Sequence, residues 1–131
     1  MDSDFFDSIK SKKLRNRFGA VGLSVFLYIV CCCYKENGYY IIIDADLYDE
    51  IIDYFRITGK EVEDIINYIV EINLLQSSKI TKEINVLTSE RIQRNYQEGT
   101  KTRGKKNKVK VNKYIWLISE EETEEHINIS N

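Results

Sequence analysis

From Phe18 to Tyr34 the chain carries no charged residue, and its apolar positions fall on all sides of a helical projection. That spacing predicts a central helix from about Gly19 to Asn37, buried on nearly all sides and stopped at Gly38, where a left-handed C-terminal residue costs least. Upstream, residues 8 to 17 predict a short basic helix, with Phe5, Phe6, Ile9, Leu14 and Phe18 available to cover a core. Tyr39 to Ile43 is a β-branched and aromatic run of strand length. Asp44 is a capping residue for a helix from about Ala45 to Phe55, in which Leu47, Ile51, Ile52 and Phe55 share one face. Thr58-Gly59-Lys60-Glu61 has the spacing of a capping box, and Val62, Ile65, Ile66 and Ile69 repeat at i, i+3, i+4, i+7 behind it. Leu74 to Gln76 and Asn85 to Leu87 are short strands around a polar loop, and a further helix begins near Thr88.

Helix, strand, helix, helix and β-ribbon is the order of a winged helix: mainly α, with a small β-sheet and, here, an extra N-terminal helix. A lone two-stranded ribbon is marginal in water, so the Tyr39 to Ile43 strand is expected to complete a three-stranded sheet. The alternative is a helical domain with an incidental hairpin. The expected core holds Val25, Phe26, Ile29, Ile51, Ile52, Phe55, Ile65, Ile66 and Ile69. The expected division is a winged-helix domain over 1–98, a basic linker or helix extension over 99–113, and an apolar patch with an acidic tail over 114–131.

Composition narrows the class. At 131 residues, 43% hydrophobic and 31% charged, the chain suits one globular domain and excludes a disordered one. No proline and only six glycines disfavour a turn-rich β-sandwich. Isoleucine (19), lysine (13) and asparagine (10), all with AT-rich codons, hint at a low-GC bacterial or phage genome. Cys31, Cys32 and Cys33 are consecutive, which matches neither a zinc site nor a disulfide framework and implies a reducing cytosol. Lys10 to Arg17 followed by the uncharged run imitates a signal peptide. Gly19, Gly22 and Ser24 within the run and Val30 before Cys31 argue for a soluble, cytoplasmic protein with no membrane contact.

Charge is arranged in opposed blocks beneath a net of −2. Residues 8 to 17 carry +5; residues 35 to 76, which hold the helix pair, carry ten acidic and three basic residues; residues 88 to 113 carry nine basic and two acidic; and residues 119 to 126 carry −5. The second helix of the pair would be the recognition helix of a repressor, yet it presents Glu61, Glu63, Asp64 and Glu71 against Lys60 alone. Phosphate attraction supplies most non-specific affinity, so docking of this helix in a major groove is disfavoured. Nucleic acid is expected instead along Arg91, Arg94, Lys101, Arg103, Lys105, Lys106, Lys108 and Lys110, with Lys113 closing the stripe and Tyr96 and Tyr114 placed to stack on bases. The other reading of this stripe is a solvated linker or a partner for the Glu120 to Glu125 run. Of Tyr39 and Tyr40, one is expected in the core and the other exposed beside the wing. Tyr114, Ile115 and Trp116 form an apolar patch that either docks on the domain or meets another subunit.

The stretches SDFFDSIKSKKLRNRFGAVGLSVFLYIVC, YKENGYYI and NVLTSERIQRNY resemble the N-terminal domain of DnaD-like phage replisome organisers, over about residues 4 to 98. The resemblance implies a winged helix with an added N-terminal helix, and a scaffolding role in replication initiation through self-association, DNA contact and contact with helicase-loading proteins. Enzyme chemistry finds no support in the residues. There is no glycine-rich phosphate loop, no cofactor motif, and the lone His126 has no nucleophile beside it. Asp44, Asp46 and Asp49 are better explained by a helix start than by a metal. Two further functions remain open: an operator-binding regulator and a protein-binding adaptor without DNA contact.

Overall fold

The computed structural model describes residues 8–102, 109–112, 115–118 and 127–130. The element order is α1 (Ile9–Glu36), β1 (Ile41–Ile43), α2 (Ala45–Phe55), α3 (Gly59–Glu71), β2 (Gln76–Lys79), β3 (Asn85–Thr88), α4 (Glu90–Thr102), β4 (Val109–Asn112) and β5 (Ile127–Ser130). β3 is central in an antiparallel sheet of order β1-β3-β2, with Ile42 opposite Val86 and Ser78 opposite Val86 on the other side. This is a winged helix, mainly α, in which the half of α1 before Gly19 is the additional N-terminal helix and the half after it is the first helix of the motif. β4 and β5 pair in parallel as a second, two-stranded sheet, so the stretch after Glu98 includes an end of α4 and a strand.

Local chemistry sets the boundaries. Asp44 accepts the Leu47 N–H at 2.9 Å and opens α2. Thr58 and Glu61 form a reciprocal capping box at α3, with the Glu61 N–H donating to Thr58 Oγ1 at 3.1 Å and the Thr58 N–H to Glu61 Oε1 at 3.2 Å. At the end of α1 the Gly38 N–H, with φ +89°, donates to the Cys33 carbonyl at 2.7 Å. β2 reads Gln-Ser-Ser-Lys and is almost wholly exposed, so its strand form comes from pairing with β3 and not from apolar alternation. That is why it begins later than Leu74, which is half-buried in the preceding turn.

The two N-terminal helices are halves of α1, broken at Gly19, whose φ of 70° and ψ of −158° lie in a region open to glycine almost alone. After the bend the first half leans on the second: a Cβ at Gly22 would meet Phe18 Cβ at 2.6 Å. The second half buries Gly22, Val25, Phe26, Ile29, Val30 and Cys33, and it leaves Ala20, Val21, Ser24 and Cys31 exposed. The expectation of burial on nearly all sides is therefore corrected, because α2, α3, α4 and β1 all pack on one side of this helix. By length and composition α1 is long and apolar enough to cross a membrane; here it supplies eight buried residues to the fold. Gly19→Ala should lower the unfolding free energy by about 1–3 kcal/mol by forcing an alanine into that conformation. In a continuous helix the same change would be stabilising by about 1 kcal/mol, so chemical denaturation decides by sign.

Val25, Phe26, Ile29, Ile51, Ile65, Ile66 and Ile69 lie in one buried cluster, whereas Ile52 and Phe55 are half-buried at its edge. Leu14, Val30, Cys33, Tyr39, Ile41, Leu47, Val62, Leu75, Val86, Leu87, Ile92 and Ile115 complete it.

Candidate nucleic-acid interface

The outer face of α3 is acidic and its one cation is occupied. Lys60 Nζ lies 3.1 Å from Asp64 and 3.7 Å from Glu63, and the Asp64 carboxylate raises its pKa. Glu61 serves the capping box, and Glu63 and Glu71 are exposed. Beside this face stands the basic half of α1. Arg17 lies over the Tyr68 ring at 4.8 Å, Phe18 meets the same ring edge-on at 5.7 Å, and Lys10 Nζ donates to the Asn73 carbonyl at 3.1 Å, just past the C-terminus of α3. Lys12, Lys13 and Arg15 are exposed on that half.

Of the expected DNA-binding residues, Arg91 is exposed on the first turns of α4. Arg94 is half-exposed and bound to Glu90 Oε1 through Nε at 3.0 Å and Nη2 at 2.5 Å. Lys101 belongs to the last turn of α4 and Lys110 to β4. Arg103, Lys105, Lys106, Lys108 and Lys113 lie outside the described residues, as does Tyr114. Tyr96, expected to be placed for stacking, packs against the domain. Its half-buried ring packs at 5.1 Å from Tyr39 and 6.5 Å from Trp116, and its edge occupies the space where a Cβ at Gly38 would stand. Tyr39 is the core member of its pair, and Tyr40 is half-buried against it at 4.9 Å.

The patch at Ile115 and Trp116 docks on the domain. Ile115 and Ile118 are buried, and Trp116 meets Tyr39 edge-on at 5.6 Å. Of the two readings of this patch, Ile115 follows docking on the domain, and Trp116 stays half-buried at its edge. What holds the strap is a residue that sequence reasoning missed. Gln93 is fully buried; its Nε2 donates to the Ile115 carbonyl at 2.7 Å and to Thr88 Oγ1 at 3.1 Å, while its Oε1 accepts the Leu117 N–H at 2.6 Å. Thr88 in turn donates to the Tyr39 carbonyl. One amide thus ties α4, the end of β3, the segment ahead of β1 and the strap at residues 115–118 into a satisfied network. The signal was the pair Gln93 and Gln97, both on the buried face of α4 beside Ile92.

Trp116 Nε1 is buried and has no hydrogen-bond partner among the described residues. Gln93→Leu leaves the Ile115 carbonyl and the Leu117 N–H unmatched and should cost about 1–3 kcal/mol. Trp116, the only tryptophan, should then shift its emission to the red while helix content by circular dichroism is retained. An unshifted spectrum would show that the strap stays docked without the amide.

The cysteines follow their depth. Cys31 is exposed, Cys32 is half-buried with its thiol pKa raised by burial, and Cys33 is buried with its thiol pushed up to about 12 by the same desolvation. Asp44 spends its carboxylate on the α2 cap.

Residues 1–92 match the family described as Lin1244/Lin1753-like, N-terminal. The chain belongs to this family. No curated protein and no solved structure matches it. The Lin1244/Lin1753-like region spans α1 to the first turn of α4, so it contains the acidic α3 face and Arg91, while the rest of the basic stripe follows it in the chain.

Proposed function

We propose that the protein is a non-enzymatic scaffold for DNA-replication initiation, of the DnaD-like replisome-organiser type suggested by its sequence, acting in a bacterial cytoplasm. The observation that supports this reading best is the acidic α3 face with Lys60 held by Asp64 and Glu63. A winged-helix regulator would press that face against phosphates, and the repulsion would oppose it. DNA contact falls to Arg91 and the lysines and arginines that follow, which track phosphates without reading bases. Self-association and contact with helicase-loading proteins belong to the same reading. The apolar strip at Tyr114 to Ile118 no longer motivates an oligomer, because Ile115 and Ile118 are in the core.

Titration of labelled single- and double-stranded DNA across a range of salt tests the proposal. With about five phosphates neutralised, log affinity should fall against log salt with a slope of about −3.5 on single strands and about −4.5 on duplex, alike for unrelated sequences. Strong preference for one duplex sequence would favour the regulator, and no binding at low salt would favour the protein-binding adaptor.

A further inference from the structure

Where Ser8 opens α1, a groove of about 1070 Å³ runs between the halves of α1, the turn after α3 and the start of α4. Phe26, Val30, Leu74 and Ile92 form its apolar lining, and the charged residues on it are Lys10, Arg91 and Glu90. Glu90 is bound by Arg94, and Lys10 is fixed at its place by the Asn73 carbonyl. The groove therefore offers apolar surface beneath a cationic rim, chemistry suited to a short segment that is both aromatic and acidic. A basic segment such as residues 101 to 113 would meet like charge.

The residues that lead into Ser8 are Asp2-Ser3-Asp4-Phe5-Phe6-Asp7: two phenylalanines flanked by three carboxylates. We propose that the groove is a binding site for an acidic, diphenylalanine segment, and that residues 2–7 of this chain are the segment it binds, since two phenylalanines match its apolar lining and three aspartates match Lys10 and Arg91 in charge. Reach favours this occupant, because at roughly 3.3–3.6 Å per residue Phe6 and Phe5 lie within about 7–11 Å of Ser8 along the chain. Tethering favours it again, since a ligand attached by a short linker acts at an effective concentration in the millimolar range. The groove shares Arg91 with the DNA-contact reading, but its test uses no DNA, so the two stand or fall separately.

Cys31 lines the groove and is exposed, so its thiol reports on occupancy. In the 131-residue chain with Cys32→Ser, the fast phase of reaction with a thiol reagent at neutral pH is that of Cys31, because Cys33 is buried and hardly ionised. Adding Phe5→Ser and Phe6→Ser should speed this phase roughly tenfold or more, as protection by a docked segment is lost. A synthetic peptide of residues 1–8, added to that variant at millimolar concentration, should slow it again. The same peptide with serine at both phenylalanine positions should not, and Arg91→Glu should weaken the rescue. An unchanged rate in the double variant overturns the proposal. So does a raised rate that the peptide fails to lower, the result expected if the substitutions merely loosen the fold.

Discussion

Replacing Ile66 with alanine is expected to lower the unfolding free energy by about 2–5 kcal/mol, a sizeable part of what a domain of this size possesses. Ile66 is 4% exposed on the buried face of α3 that also carries Val62, Ile65 and Ile69, in a helix that packs on both α1 and α2. Removing three carbons there leaves a cavity among elements whose positions are set by many other contacts, so collapse is limited. Ile52→Ala, at a half-buried site on the edge of the same cluster, should cost clearly less. Chemical denaturation of both variants checks the ranking; a loss below about 1 kcal/mol at Ile66 would be inconsistent with its place in the core.

The second large effect concerns DNA. Reversing Lys105 and Lys106 to glutamate should weaken binding to every sequence and remove two phosphate contacts, moving the duplex salt slope from about −4.5 to about −2.7. Arg94 is the poorer target. Its guanidinium is held by Glu90, and Arg94→Glu would set two carboxylates four residues apart on α4 and perturb the helix itself. Truncation after Glu98 is poorer still, because it removes Ile115 from the core and the strap from Gln93, so a loss of binding would mix charge with stability. Changes within the stripe of the intact chain keep the two apart.

The parts of the fold legible in the sequence were those fixed by local chemistry. Asp44 and the Thr58–Glu61 box start α2 and α3 where their side chains satisfy the first N–H groups, and the three- and four-residue spacing of Ile65, Ile66 and Ile69 marks the buried face. Gly19 likewise divided the N-terminal helices at the residue whose backbone breaks α1. What escaped notice depends on distant partners. β2 is polar and exists through its pairing with β3, the exposed side of α1 follows from where its neighbours stack, and Ile115 and Trp116 found a seat on α4 and Tyr39 that no spacing rule encodes. Gln93 was hidden for the same reason, since a polar residue on a helix reads as solvated until the backbone it binds is in place. At the candidate interface, the acidity of α3 was plain from composition, but the capture of Lys60 by Asp64 and of Arg94 by Glu90 needed coordinates.

The account turns on which surface meets DNA, and one paired titration tests that most directly. Duplex affinity is measured under one salt condition for the intact chain, for Lys105→Glu with Lys106→Glu, and for Glu61→Gln with Glu63→Gln and Asp64→Asn, where the glutamine at Glu61 keeps the capping spacing. Weakened binding on all sequences is expected for the lysine reversals, and unchanged or tighter binding for the neutralised α3. Binding that survives the lysine reversals, together with loss or altered sequence preference when α3 is changed, would contradict it.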